Sequence, residues 1–206
     1  MIFYLTFGEL DSWLTLEPLG KLMAETPINV EVRPMLRSLG NVVSQAKRGE
    51  IDPLAGYKKR RAAAHKQASR RELARQCDSL GISAEQALRK IDPMMLSLGL
   101  LWINRGANGW FDYCHRAFLQ TFRENGDVES VAAVAAMISE TGASTEGFEG
   151  FAASERSALL EGADALLEQG LLSAPVFVLE GEIFHGREHL PLIRWIVSGR
   201  AGVPPV

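Results

Sequence analysis

The chain has 206 residues, of which 47% are hydrophobic and 23% are charged, a composition that suits one compact domain with a sizeable core. Its formal net charge of -3, from 22 basic and 25 acidic side chains, excludes a global basic field that would draw the protein onto nucleic acid or an anionic membrane. No apolar stretch approaches the roughly 20 residues that span a bilayer, so we expect a soluble protein.

The opening of the chain predicts a β-α-β unit. Residues 2–6 form a short apolar and aromatic run, which is typical of a strand. Apolar side chains then recur at helical spacing over residues 12–23, with Asp11 or Ser12 placed to cap the helix. Residues 28–33 alternate between apolar and polar, as a half-buried strand does. Such a crossover is nearly always parallel and right-handed.

The cellular compartment is predicted from the N-terminus and the cysteines. The first strand begins at once, with no basic leader and no small-residue cleavage site, so we expect a cytoplasmic protein. Cys77 and Cys114 are the only cysteines, lie far apart and form no CxxC pair. A structural disulfide is therefore not expected, and both thiols are interpreted as small buried apolar groups.

The middle of the chain predicts a helical block. Residues 36–172 carry almost no strand signal, and glycine or proline separates the segments that have helical spacing. The predicted helices within this block span residues 57–80, 84–90, 93–104, 110–124, 128–139 and 153–169.

The end of the chain returns to alternating elements. The helix over residues 153–169 is closed by Gly170, and a strand over 176–179, a Glu180-Gly181 turn and a returning strand over 182–184 follow. An amphipathic helix over residues 187–198 completes the pattern. Joined to the opening unit, this α-β-β-α stretch predicts a central sheet covered on both faces.

The most specific pattern lies in residues 172–190, LSAPVFVLEGEIFHGREHL. It resembles the cis-proline strand, turn and helix start of the DsbA branch of the thioredoxin-like superfamily, which holds 2-hydroxychromene-2-carboxylate isomerases and kappa-class glutathione transferases. The resemblance implies an α/β thioredoxin-like fold with a central mixed sheet and a large all-helical insertion. It divides the chain into a discontinuous thioredoxin-like domain, 1–38 and 165–206, and a helical insertion domain, 39–164. It also implies a homodimer.

The loop after the first strand departs from this family. The family has serine-proline-x-serine or CxxC there, whereas this chain has Glu9, Leu10, Asp11 and Ser12. Without a cysteine at either position, disulfide oxidoreductase activity is not expected. An ionised Glu9 would repel a neighbouring thiolate by about 1 kcal/mol even at water's dielectric. Glu9 and Ser12 are the candidate catalytic residues. The alternative is that Glu9 and Asp11 compensate the helix dipole or cap the helix, and that Ser12 is an N-cap.

The resemblance also implies the ligand groups. The backbone of Ala174 and Pro175, with a cis bond between them, would pair with glutathione as with an extended peptide. Arg187 and Glu188 would hold its γ-glutamyl end, because Glu188 offers a carboxylate to the aminium group. His185 and His189 have no visible third ligand, so we expect no metal.

A basic run on the predicted helix over 57–80 is the densest charge in the chain. A solvated helix face is the default interpretation, while the resemblance leaves open that one of these cations receives an acidic substrate. The run contains Lys58, Lys59, Arg60, Arg61, His65, Lys66, Arg70 and Arg71.

These observations give two hypotheses of function. The first is a glutathione-dependent isomerase or kappa-like transferase that acts on a small aromatic or conjugated carboxylate, in a cleft between the thioredoxin part and the insertion. The second is a divergent binding or regulatory protein that kept the fold and lost the chemistry, which the changed loop at residues 9–12 favours.

Overall fold

The computed structural model describes residues 1–36, 55–106 and 109–205 of the chain. The elements follow one another as β1 Ile2–Leu5, α1 Leu10–Glu25, β2 Glu31–Pro34, α2 Ala55–Leu80, α3 Ala84–Ala87, α4 Met94–Ile103, α5 Trp110–Phe118, a π-helical turn Leu119–Arg123, α6 Val131–Glu140, α7 Phe148–Glu168, β3 Val176–Leu179, β4 Glu182–His185, a 3₁₀ turn Arg187–His189 and α8 Leu190–Val197.

The strands of the described residues form one mixed sheet in the order β2-β1-β3-β4. β1 is parallel to β2 and antiparallel to β3, with Tyr4 opposite Val176, and β3 pairs with β4 in an antiparallel hairpin. The predicted β-α-β opening and the predicted hairpin are therefore confirmed. β2 begins at Glu31, later than the alternation from residue 28 indicated.

The central strands β1 and β3 of the sheet are buried on both faces. Phe3 and Phe177 are opposite each other on neighbouring strands, and their rings stack with centroids 5.0 Å apart. The adjacent pair, Tyr4 and Val176, belongs to a buried cluster against which Leu166 of α7 packs. Burial of both faces explains why the two central strands, β1 and β3, read as nearly continuous apolar runs, whereas the edge strand β2 alternates.

Two predicted helices have different limits in the structure. The helix predicted to begin at residue 153 begins at Phe148, whose ring is fully buried and contacts Trp102 at a centroid distance of 5.9 Å. Burial of that ring extends the helix into a stretch whose polar composition had indicated a loop. The helix predicted over residues 110–124 changes to a π-helical turn after Phe118, where Arg89 donates hydrogen bonds to the Thr121 and Gly126 carbonyls at 2.9 and 2.8 Å.

The chain divides into two compact units, Met1–Ser38 with Arg89–Val206, and Leu39–Leu88. Helices α4 to α7 belong to the unit that contains the sheet, since α4 contacts β2 and α5 contacts α1. The prediction that residues 39–164 form one inserted domain of a thioredoxin-like fold stays a prediction.

The second unit is described by α2 and α3. Ser83 caps α3, because its hydroxyl accepts from the Gln86 N–H and the Gln86 side chain accepts from the Ser83 N–H, a reciprocal capping box. No helix in the described parts of the chain combines the length and the apolar character needed to cross a membrane.

Candidate functional site

The end of β1 is fixed by Thr6, a polar residue buried at the close of an apolar strand. Its hydroxyl donates to the Met35 carbonyl at 2.7 Å, and the Met35 N–H donates to the Leu5 carbonyl at 2.7 Å. These bonds extend the pairing of β1 with β2 by one step. They hold the start of the following loop in one position.

The loop between β1 and α1 carries the candidate catalytic residues. Glu9 occupies the N-cap position of α1 with extended backbone angles, and its side chain makes no capping hydrogen bond. The prediction that Asp11 or Ser12 caps the helix is wrong, because α1 already begins at Leu10 and both residues lie in its first turn. Glu9 is partly exposed. As the N-cap residue, it places a carboxylate at the N-terminus of α1.

Ser12 has a different environment from the one that a surface nucleophile needs. Its side chain is fully buried, and its Oγ accepts a hydrogen bond from the Thr6 N–H at 3.1 Å. The bond ties the first turn of α1 back to the end of β1. A catalytic role for Ser12 stays a prediction, whereas its contact with Thr6 positions the loop.

Pro175 directly precedes β3, the strand that pairs with β1. The Ala174–Pro175 peptide bond is cis, as expected. The Pro175 carbonyl accepts from the Gly186 N–H at 2.8 Å, which joins the start of β3 to the end of β4. Continuing the register of Tyr4 with Val176 places Leu5 opposite Pro175 and Thr6 opposite Ala174.

The backbone of Ala174 is the feature of the site most suited to a ligand. Thr6, which lies opposite, already uses its N–H on Ser12 and its carbonyl on the Glu9 N–H at 3.2 Å. Ala174 is only 7% exposed, and neither its N–H nor its carbonyl has a hydrogen-bond partner among the described residues. Buried backbone groups are almost always paired in native proteins. An extended, peptide-like ligand would supply the missing donor and acceptor.

The third segment of the site is the 3₁₀ turn that precedes α8. Arg187 Nε lies 3.8 Å from Asp11 Oδ1, which brings this turn to the first turn of α1. Gly186 has φ +89° and ψ 155°, a conformation that is essentially restricted to glycine. Its missing side chain leaves room for the Glu188 carboxylate, which lies directly over it. Glu188 itself is exposed.

Aromatic side chains lie next to the loop on the helical side. Trp13, the residue after Ser12, stacks on Phe122 with centroids 5.7 Å apart, and the Arg123 guanidinium lies over the Trp13 ring at 5.9 Å. Sequence reasoning missed this contact and also the roles of Thr6 and Asp11. The available signals were weak: a threonine at the end of an apolar strand, and a tryptophan directly after the candidate serine.

The cysteines lie in buried positions. Burial raises the pKa of the Cys114 thiol well above its ordinary value, and the pKa of Cys77 is raised by burial and by Asp78. Thiols in such surroundings stay protonated and are poor nucleophiles. Neither cysteine has the environment of a redox-active residue.

Two further sequence features fall outside this site. The basic run of residues 58–71 is exposed along α2, and the prediction that one of its cations receives a substrate stays a prediction. No group of three or more histidine, cysteine, aspartate or glutamate side chains within the described ranges is arranged to hold a metal ion.

Comparison with known proteins gives a structural match without a sequence match. No family model matches the chain, and no curated protein matches its sequence. The solved structure of a selenomethionine-labelled 2-hydroxychromene-2-carboxylate isomerase is similar, with a TM-score of 0.63 and 19% identity over 96% of this chain and 95% of that one. The chain therefore has the thioredoxin-like fold that residues 172–190 had indicated.

Proposed function

We propose that this protein binds glutathione and uses its thiol in an isomerase or transferase reaction. The observation that carries the proposal is the backbone of Ala174, a residue that is 7% exposed and whose N–H and carbonyl have no hydrogen-bond partner among the described residues. Glutathione is an extended peptide, so its cysteine residue offers the carbonyl and N–H that this position requires. The similar solved structure, named as an isomerase, supports the same class of reaction.

The charged groups of the site suit the ends of this ligand. The Arg187 guanidinium can donate two parallel hydrogen bonds to a carboxylate, and the Glu188 carboxylate can accept from an aminium group. Both residues leave the sheet directly after Gly186, which is bonded to Pro175. This bond supports placing the peptide pairing at Ala174 close to the charge pairing at residues 187–188.

Glutathione, when bound, supplies a nucleophilic thiol. Glu9 stands at the N-terminus of α1, where its carboxylate can accept the thiol proton and then, as the neutral acid, donate a hydrogen bond back to the sulfur. The positive end of the helix dipole at the N-terminus of α1 would stabilise the negative charge on the sulfur. Ser12 and Thr6 hold the loop so that Glu9 keeps this position.

The proposed substrate is a small aromatic or conjugated carboxylate, and the proposed assembly is a homodimer. Trp13 and its stacked partner Phe122 are buried core residues next to the loop, and they support its apolar side from beneath. A conjugated substrate accepts a thiolate at its double bond and releases it after rotation or proton transfer, which requires neither a metal nor a redox-active cysteine pair.

Isothermal titration with reduced glutathione tests the proposal. We expect saturable heat at millimolar ligand or below, and a several-fold weaker affinity in Glu188→Gln because the aminium group loses its charged partner. Glu182→Gln, which changes an exposed acid on the neighbouring strand, is the matched control and should bind as the wild type does. The absence of detectable heat at millimolar glutathione would remove the cofactor from the account.

The second candidate is a binding or regulatory protein that has lost the chemistry. The loop sequence from Glu9 to Ser12 and the complete burial of Ser12 favour it. An isomerase assay with a chromene-type carboxylate distinguishes the two. Turnover by the wild type that collapses in Glu9→Ala supports the enzyme, whereas activity that appears only in Glu9→Ser supports the degenerate protein.

A further inference from the structure

The geometry points to Asp11 as a positioning residue that holds the Arg187 side chain in place for a ligand carboxylate. This inference rests on the proposed function. It gives a role to Asp11, which lies on a different element from the residues proposed to contact the ligand. Asp11 lies in the first turn of α1, whereas Arg187 begins the turn before α8.

The contact is made at one edge of the guanidinium. Arg187 Nε lies 3.8 Å from Asp11 Oδ1, with side-chain exposures of 38% and 50%. Among the described residues, no other hydrogen bond or ion pair of the Arg187 guanidinium is found. An arginine that turns its Nε edge toward the carboxylate keeps its two terminal nitrogens as donors, and these suit a ligand carboxylate.

The backbone of Arg187 is fixed independently of its side chain. Gly186 donates to the Pro175 carbonyl, and its positive φ sets the direction in which the chain leaves β4. A long side chain on such an anchor still samples many rotamers, and ordering it on binding lowers the affinity. Asp11 restricts those rotamers before the ligand arrives.

Asp11 also complements the dipole of α1, as an acid in the first helical turn does, so the experiment has to separate the two roles. The chain offers a matched control. Glu25, at the other end of α1, forms an ion pair with Arg194 of α8. Glu25→Gln thus breaks a second exposed ion pair between α1 and the C-terminal segment, away from the site.

The experiment is titration of reduced glutathione into the wild type and five variants: Asp11→Asn, Asp11→Glu, Glu25→Gln, Arg187→Gln and the double variant of Arg187→Gln with Asp11→Asn. We expect Asp11→Asn to weaken the affinity about two- to fivefold, the size of effect that one exposed ion pair produces. Asp11→Glu, which keeps the charge, should recover most of the affinity, and Glu25→Gln should leave it unchanged. In an Arg187→Gln background, Asp11→Asn should have no further effect, because Asp11 acts through the arginine.

The outcomes separate this inference from the proposed function. If the wild type binds no glutathione, the proposed function is wrong, and the positioning role of Asp11 is wrong with it. A wild type that binds while Asp11→Asn binds equally well overturns the positioning role alone. A loss in Asp11→Asn that persists undiminished in the Arg187→Gln background also overturns it, since the effect would then be one of helix stability.

Discussion

Replacing Ser12 by alanine tests whether this residue mainly holds the loop. The substitution removes the acceptor of the Thr6 N–H at 3.1 Å, in a position where Ser12 is 0% exposed. A buried donor left without a partner costs about 1–3 kcal/mol. For a domain of this size, that loss of unfolding free energy lowers the melting temperature by about 2–12 °C.

The assay is urea unfolding followed by tryptophan fluorescence, with thermal unfolding as a second measurement. Ser154→Ala is the matched control, because Ser154 lies on the exposed side of α7 and its hydroxyl only donates to the Phe151 carbonyl within the helix. We expect the control to change the free energy of unfolding by less than about 0.5 kcal/mol. Equal stability of the two variants would refute the buried hydrogen bond as the function of Ser12.

Three further predictions follow from close contacts and burial. Gly186→Ala should lose about 1–3 kcal/mol in urea unfolding, because a side chain is strained at φ +89° and meets the Glu188 carboxylate. Tyr113→Phe should lose about 1 kcal/mol in the same assay, since the buried hydroxyl no longer donates to the Leu96 carbonyl at 2.9 Å. Burial holds the pKa of Cys114 above its ordinary value of 9.0, so the contribution of the neutral thiol to stability is complete below pH 9 and is lost as the pH rises further. Cys114→Ala should lessen that alkaline loss in unfolding curves.

Each of these predictions has a contrary outcome. Gly162→Ala, at a helical glycine with open space around it, should stabilise by about 0.5–1 kcal/mol, so a similar gain in Gly186→Ala would contradict the strained turn. An unchanged stability in Tyr113→Phe would show that the hydroxyl adds nothing. A wild type as stable at pH 10.5 as at pH 8 would contradict the raised pKa.

The ends of the chain could be predicted because their signals are local. The alternation up to Pro34 and the glycine turn after Leu179 each report on neighbouring residues, and the structure contains both elements. The parallel pairing of β1 with β2 follows from chain connectivity alone.

Contacts between distant residues could not be predicted in the same way. Phe148 is buried by Trp102, which is far away in sequence, and this contact sets the start of α7. Serine is a common N-cap residue, yet Ser12 accepts its hydrogen bond from the Thr6 N–H, directly after β1. The ion pair of Asp11 with Arg187 depends on the sheet topology, which brings two ends of the chain together.

The central claim is that the backbone of Ala174 receives a peptide-like ligand. Two-dimensional amide NMR of the ¹⁵N-labelled protein tests this claim during titration with reduced glutathione. We expect the Ala174 amide to shift downfield and to saturate as its N–H gains an acceptor, while the amide of Gly162 on α7 stays in place. An Ala174 amide that does not move at saturating glutathione would contradict the account.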